Sequence, residues 1–342
     1  MRQPSTILDS WVDANVAGLA CFYVESNGRR TEYVATVPRA IYDAQGAQAT
    51  RDALELKIRT QRRRQWGLGE PDSIFVWTTD LHYGQALNRS SRSEIFARIC
   101  ALNPAFVIDT GDTGDTSAPA QYVEFKAQLA SLTCTMHYMP GDHDEGYGLD
   151  LTGETLGQVA TYDTWDAAGL DRGFVVDAGP FRLISAITYK LRAPSAQIRQ
   201  AGITADQVTR IETQCAAALA AGKVPILCTH HPGSAVKQLD GGNYASFAAL
   251  LSAVGCSRKW GGHQHGDCYQ ATNLGFQDVA GGSLWINGPV EARTLDSGFM
   301  LCEVYNSVPR IDISYIRARP PWDVYGPVAQ VVGDTTYTAI TV

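Results

Sequence analysis

The stretch that decides the fold is SIFVWTTDLHYG at residues 73–84, and FVIDTGD at residues 106–112 repeats its pattern. Each begins as an apolar run and ends in polar residues, which is typical of a buried strand that delivers side chains at its carboxyl end. Strands are predicted over 73–79, 105–110, 134–139, 181–188, 224–229, near Lys259, and over 283–287, 298–304 and 310–316. Helices are predicted over 92–102, 119–132, 204–221 and 244–254. This alternation predicts a layered α/β core.

Composition restricts the class of protein. The chain has 342 residues, of which 45% are hydrophobic, enough for a large core. Its 28 Lys and Arg against 35 Asp and Glu give a formal charge of −7, which argues against a surface that grips nucleic acid or anionic lipid. No long apolar run predicts a membrane span. Eight scattered cysteines and the absence of a leader pattern favour a reduced, cytoplasmic protein.

Both ends of the chain are expected to extend a core at residues 71–319. Residues 1–70 predict a hairpin, from LACFYVE, an Asn27-Gly28 turn and TEYVATV, followed by a helix over Ala47–Arg64. Residues 320–342 predict a second hairpin that pairs with the first. Exposed edges of the hairpins would also let two copies of the chain pair as a homo-oligomer.

Five short motifs follow predicted strands and gather most of the histidines. They are Asp80-Leu81-His82, Gly111-Asp112, Gly141-Asp142-His143-Asp144, His230-His231-Pro232 and Gly262-His263-Gln264-His265. Six of the seven histidines lie within them, and only His137 lies outside. Because ligands collect at the carboxyl ends of strands in α/β sheets, these motifs are expected to converge.

Mixed carboxylates and imidazoles favour a metal centre. Such ligands suit Zn, Fe, Mn or Co, and a shared carboxylate can bridge two ions. Two ions about 3.5–4 Å apart can hold a hydroxide nucleophile and a phosphoryl oxygen together. The sequence therefore predicts metal-assisted hydrolysis of a phosphoester.

The order of these motifs resembles that of the calcineurin-like metallophosphoesterases, and the resemblance covers residues 71–319. TTDLHYG, VIDTGD and YMPGDHD are similar to the family's segments. The resemblance implies a four-layer α/β/β/α sandwich of two mixed sheets between helices. It also implies two metal ions and in-line attack of a metal-bound hydroxide on a small-molecule phosphoester, with phosphodiesters preferred over monoesters.

The resemblance also implies a role for each motif residue. The first metal would be held by Asp80, His82 and His265, with Asp112 as the bridge, and the second by Asp142, His230 and His263. His143 would bind the phosphoryl group or protonate the leaving oxygen, with Asp144 orienting it. His231 has no ligand role in the pattern, and we expect it to contact substrate or to lie behind the ligands.

Asp142 departs from the family pattern, which has Asn in its place. A carboxylate coordinates a metal more strongly, but it adds a negative charge and has no proton to donate when ionised. The site is therefore tuned to a more highly charged metal, adapted to a less anionic substrate, or weakened.

Two other functions fit parts of the sequence. A nuclease would use the Arg59–Arg64 cluster to follow a phosphate backbone, although the net charge of −7 disfavours it. A binding or assembly module would have lost turnover, and Asp142 is the feature that favours it.

Restoring the family residue tests the role of Asp142. If the carboxylate is merely a handicap, Asp142→Asn preserves metal binding and raises turnover of bis-nitrophenyl phosphate, because the site becomes less negative. A clear fall in turnover would contradict this and indicate a site adapted to Asp.

Overall fold

The computed structural model describes residues 8–12, 14–24, 30–65, 67–84, 89–145, 162–190, 201–263, 269–271, 276–281, 298–317 and 331–332. The strands are β1 Leu8–Val12, β2 Val16–Val24, β3 Arg30–Pro38, β4 Ser73–Thr78, β5 Phe106–Asp109, β6 Thr135–His137, β7 Val175–Ala178, β8 Phe181–Ser185, β9 Tyr189–Lys190, β10 Ala201–Ile203, β11 Val224–Cys228, β12 Val236–Leu239, β13 Arg258–Gly261, β14 Tyr269–Ala271, β15 Gln277–Ala280, β16 Gly298–Tyr305, β17 Arg310–Arg317 and β18 Val331–Val332. The helices are α1 Arg39–Gln65, α2 Arg89–Leu102, α3 Pro119–Leu129, α4 Asp163–Ala167, α5 Ala205–Ala220 and α6 Phe247–Ala253.

Two six-stranded sheets form the centre of the described structure. One has the order β14-β15-β13-β11-β8-β7, and the other has the order β18-β17-β16-β4-β5-β6. The strands that carry the motifs are parallel within each sheet: β4, β5 and β6 in one, β11 and β13 in the other. Their carboxyl ends therefore emerge along the same edge of each sheet.

Alternating side chains build the layers on both faces of β4. Phe75 and Trp77 point between the sheets, where Trp77 stacks on Trp260 of β13 with ring centroids 5.0 Å apart. Val76 points the other way, into the cluster beneath α2 and α3. This two-residue period explains why the strand reads as continuously apolar, because both of its faces are buried.

Helices cover the outer face of each sheet. On α5, Val208, Ile211 and Cys215 recur at steps of three and four and are buried against the β8–β11 face. With α2 and α3 over the other sheet, the order of layers is α/β/β/α, so the fold class predicted from the sequence is confirmed.

The predicted elements of the core are found with shifts at their ends. The strand predicted over 283–287 lies outside the described residues, whereas β7, β10, β12 and β15 were not predicted; each is three or four residues long and forms by pairing with other strands. No helix in the described ranges combines the length and the apolar character that crossing a membrane requires.

The terminal segments differ in part from their predictions. β2 and β3 form the predicted antiparallel hairpin, which β1 extends to three strands. The helix predicted from Ala47 begins at Arg39, and it is interrupted at Gly46, whose φ is 81°. Val331–Val332 pair with β17 of the core sheet, and the rest of the hairpin predicted over 320–342 lies outside the described residues.

A buried ion pair attaches α1 to the core. The Arg63 guanidinium contacts Glu303 of β16 at 2.8 Å and also contacts Glu70, with 7% of the Arg63 side chain and 4% of the Glu303 side chain exposed. Arg98 of α2 adds a contact at 2.9 Å to Asp52 of α1. One arginine of the Arg59–Arg64 cluster therefore serves the packing of α1, not a surface for nucleic acid.

Removing Arg63 is expected to destabilise the protein strongly. Arg63→Ala leaves the Glu303 carboxylate buried without its cation, which costs about 3–5 kcal/mol in the free energy of unfolding measured with denaturant. Arg64→Ala, at the exposed neighbour, serves as the control and should change that free energy by no more than about 0.5 kcal/mol. Equal effects of the two variants would contradict the proposed attachment.

Candidate metal centre

The loops that follow the five motif strands are joined by backbone hydrogen bonds. The Asp80 N–H donates to the Gly111 carbonyl at 2.8 Å, and the Gly262 N–H donates to the His230 carbonyl at 2.8 Å. The two sheets are connected where the His263 N–H donates to the Asp80 carboxylate, at 3.0 and 3.2 Å from its two oxygens. The predicted convergence of the motifs is therefore found for their described members.

Four motif side chains form one group that could hold a metal ion: Asp112, Asp142, His230 and His263. Nε2 of His230 lies 3.0 Å from Oδ1 of Asp142 and 3.1 Å from Oδ2 of Asp112. Nδ1 of His263 lies 3.0 Å from the same oxygen of Asp142. Two carboxylates and two imidazoles, three of them fully buried, match the ligand set expected for the second metal.

A second group consists of His82, Asp112 and His143. Nε2 of His82 lies 3.6 Å from Oδ2 of Asp112, and the rings of His82 and His143 meet edge to face with centroids 4.7 Å apart. His143 was expected to face substrate, and the structure brings it beside His82. Asp112 belongs to both groups, which is the position expected for a bridging ligand.

The Asp112 carboxylate fits a shared metal ligand. Its Oδ1 accepts the His143 N–H at 2.8 Å. Its Oδ2 is buried and has no partner of hydrogen-bond geometry among the described residues, although it lies between ring nitrogens of His82 and His230. An unsatisfied buried carboxylate oxygen is costly unless a cation or donor completes it, so the residues present fit a metal ion.

Protonation of the first group follows from its crowding. Burial acts to lower the pKa of His230, but the Asp112 and Asp142 carboxylates raise it well above its usual range. Burial acts to raise the pKa of Asp142, and hydrogen bonds with His230 and His263 hold it well below its usual range. The cluster therefore keeps its carboxylates ionised, as metal ligation requires.

Asp115 is a positioning residue that the motif analysis missed. Its carboxylate Oδ1 lies 3.1 Å from Nδ1 of His82, and its carbonyl oxygen lies 2.7 Å from Nδ1 of His143. Both rings therefore direct Nε2 away from Asp115, and a carboxylate behind a ligating histidine fixes its orientation and basicity. The signal available in the sequence was its place three residues after Asp112.

Asp144 holds the loop that carries Asp112. Its carboxylate accepts the backbone N–H groups of Thr113 at 3.0 Å, Gly114 at 2.6 Å and Gly141 at 2.9 Å. Burial raises the pKa of Asp144 to about 7, with Asp112 adding to the effect and the three N–H groups opposing it. Asp144, the residue after His143, was expected to orient the His143 side chain. Its carboxylate fixes the backbone that follows Asp112 and ties it to the loop at Gly141.

Strained backbone is concentrated at the site. Asp80, His82, Asp112 and His263 have φ of 55°, 43°, 57° and 70°, in the left-handed region that side chains rarely adopt. Such conformations persist only where surrounding contacts enforce them, and they cluster at functional sites. Gly141 lets the loops approach, because a Cβ there would overlap the backbone and carboxylate of Asp112.

Three further site residues complete the comparison with the sequence. Asp80 is buried at the junction of the sheets but belongs to neither group described above. His265 lies outside the described residues. His231 is fully buried beside His263, with ring centroids 4.5 Å apart, so it does not lie on an open surface.

The turn after His231 has its own support. The Gly233 N–H donates to Oδ2 of Asp278 at 2.7 Å, and Oδ1 of Asp278 lies 3.1 Å from the buried ammonium of Lys259. Lys259 and Asp278 are direct partners in the pairing of β13 with β15. This ion pair was not predicted, because β15, which carries Asp278, was not itself predicted.

Removing the carboxylate of Asp115 is expected to weaken metal binding. Asp115→Ala removes the acceptor behind His82 Nδ1, and loss of such a partner costs about 10–100-fold in affinity. Titration of the chelator-treated protein with Zn²⁺ measures the loss. Asp206→Asn, an exposed position on α5, is the control, and an affinity equal to that of the control would contradict the role of Asp115.

Several solved structures are similar to the chain. One is GAP50, described as the anchor in the inner membrane complex of Plasmodium, at 11% identity, covering 78% of this chain and 93% of that chain with a TM-score of 0.43. Vps29 of Cryptosporidium parvum is 12% identical, covering 77% of this chain and 100% of its own with a TM-score of 0.38. A predicted phosphoesterase from Streptococcus pneumoniae TIGR4 is 9% identical, covering 76% and 97% with a TM-score of 0.33.

Sequence similarity defines the family. No curated protein matches the sequence. The model of the calcineurin-like phosphoesterases matches residues 74–267, which is more than half of the chain and includes every described motif. The protein therefore belongs to the calcineurin-like phosphoesterase family.

Proposed function

We propose that this protein is a hydrolase of phosphoesters, with phosphodiesters preferred, that uses two metal ions. The observation that carries the proposal is the pair of Asp and His groups that share the Asp112 carboxylate. Metal ions bound in this way lower the pKa of water and polarise phosphoryl oxygens. Mn, Fe, Zn and Co all accept this ligand set.

The ligands divide between two positions in this proposal. His230, His263 and Asp142 would hold one ion, and Asp112, whose Oδ2 lies between His82 and His230, would be shared with the other. His82 holds the other ion, together with Asp80 and His265, which the described groups do not include. The metal content of variants at Asp80 and at His265, each changed singly, would show whether these two residues are ligands.

His143 is the proton donor in this proposal. Its Nδ1 faces a carbonyl oxygen, which only accepts, so Nδ1 carries a proton and Nε2 is the atom that exchanges the second one. The residue is half-buried, in contrast to the fully buried His82 beside it, so a substrate oxygen can approach it. Protonating a leaving alkoxide at this atom would assist cleavage of the ester bond.

The two alternatives gain no support from the described contacts. Arg63, within the cluster that a nuclease would use, is engaged by Glu303 and Glu70. Asp112 Oδ2 has no hydrogen-bond partner among the described residues. An unsatisfied buried oxygen lowers stability, so a binding module without turnover would gain nothing from it.

Loss of a single ligand is expected to abolish the reaction. The chelator-treated protein is loaded with Mn²⁺, Co²⁺, Zn²⁺ or Fe²⁺ and assayed on bis-nitrophenyl phosphate and on nitrophenyl phosphate. His230→Ala should lower turnover by at least about 1,000-fold, since the metal supplies several kcal/mol of transition-state stabilisation. His137→Ala is the matched control, because His137 lies outside the five motifs and its ring contacts Phe106 and Phe174.

The result decides between the functions. Higher turnover of the diester than of the monoester in the loaded protein supports the proposal. Binding of two ions without turnover of either ester would contradict it and favour a binding module.

A further inference from the structure

The neighbours His230 and His231 meet different groups through the same ring atom. Nδ1 of His230 lies 3.0 Å from the carbonyl oxygen of Thr110, whereas Nδ1 of His231 lies 2.8 Å from the hydroxyl oxygen of Thr188. A carbonyl oxygen only accepts, so Nδ1 of His230 carries a proton, and Nε2 is the nitrogen that would bind a metal ion once its own proton leaves. Until then Nε2 of His230 can donate to the Asp142 and Asp112 carboxylates, at 3.0 and 3.1 Å.

The hydroxyl of Thr188 imposes the opposite tautomer on its partner. Its oxygen accepts the backbone N–H of His231 at 3.3 Å, and its side chain is fully buried. The hydroxyl proton then needs an acceptor, and Nδ1 of His231 is the one that the described residues offer. Nδ1 therefore accepts, and the neutral ring carries its proton at Nε2. The other tautomer would leave a buried hydroxyl proton unsatisfied.

Nε2 of His231 faces the ligand cluster. The atom is buried, has no hydrogen-bond partner among the described residues, and lies 3.9 Å from Oδ1 of Asp142. His230 and His263 lie closer to the same oxygen, at 3.0 Å each. Once these two rings present lone pairs to a metal, neither can donate a proton to Asp142, so His231 is the imidazole that still carries an N–H beside it.

We infer that Thr188 is a positioning residue that fixes His231 as an N–H donor toward Asp142 and excludes His231 from the metal ligands. The inference deepens the proposed function and rests on it in one respect, namely that Asp142 and His230 bind metal. It assigns a use to two buried residues, Thr188 and His231, that the ligand set leaves without one. It also explains how an ionised Asp142, which has no donor of its own, is accommodated.

Nuclear magnetic resonance of the ring nitrogens tests the tautomer directly. The protein is labelled with ¹⁵N-histidine and loaded with Zn²⁺, and His231→Gln identifies the signals of His231. We expect His231 to be protonated at Nε2 in the wild type and in Thr188→Ser, which keeps the hydroxyl. Thr188→Val, which keeps the shape without the hydroxyl, should lose this preference.

Two results would overturn the inference. One is a wild-type His231 with a bare Nε2, a measurement that stands even if the Val variant does not fold. The other is an unchanged His231 signal in Thr188→Val.

Metal affinity gives an independent readout. We expect His231→Ala to weaken Zn²⁺ binding by no more than about 10–100-fold, as for a residue behind the ligands, and His231→Gln, which places an N–H near the position of Nε2, to recover part of the loss. His230→Ala at the neighbouring ligand should bind far more weakly. Equal losses in His231→Ala and His230→Ala would make His231 a ligand and overturn the inference. A protein that shows the expected tautomer but hydrolyses no phosphoester would disprove the proposed function and leave this inference intact.

Discussion

The arrangement of the whole site depends on the buried carboxylate of Asp112. One of its oxygens accepts the His143 N–H, and the other has no partner of hydrogen-bond geometry in the described part of the chain, although it lies between ring nitrogens of His82 and His230, which come from different sheets. A negative charge in such a place is stable only if positive charge or donors surround it. The Asp112 carboxylate is held in this place by the two central sheets, the loops at their edges and the histidines.

The loops are held mainly by hydrogen bonds to backbone groups. Asp144 fixes the amides of Thr113 and Gly141, Asp115 fixes the rings of His82 and His143, and Asp278 fixes the turn after His231. These contacts also stabilise the positive φ angles of the candidate ligand residues, since backbone strain persists only where the surrounding structure enforces it. In the proposed function, the geometry of the candidate ligands would thereby be set before an ion binds, which is the preorganisation that catalysis by electrostatic stabilisation requires.

The sequence was sufficient for the layers and for most of the described ligand cluster. Apolar runs such as SIFVWT at β4 and the helical spacing of α5 are local patterns, and they led to the correct fold class. Histidines gathered behind strands likewise indicated the convergence of Asp112, Asp142, His230 and His263. Short strands such as β10 and β12 were missed because tertiary pairing, and not local propensity, forms them.

The supporting residues were not predictable, because their roles depend on contacts between distant segments. Asp115, Thr188 and Asp278 are ordinary polar residues in the sequence, and only the folded chain brings them to His82, His231 and Gly233. For Arg63 the sequence was misleading. The residue was counted in a basic surface cluster, but it is buried against Glu303. Charge patterns locate clusters of like residues, whereas burial decides what each member does.

In the proposed function, the Asp112 carboxylate joins two metal positions. Electron paramagnetic resonance of the chelator-treated protein reloaded with Mn²⁺, together with its metal content, tests this most directly. Two Mn²⁺ ions per chain with an exchange-coupled signal are expected, and Asp112→Ala should abolish the coupling. A single uncoupled Mn²⁺ per chain in the saturated wild-type protein would contradict the claim.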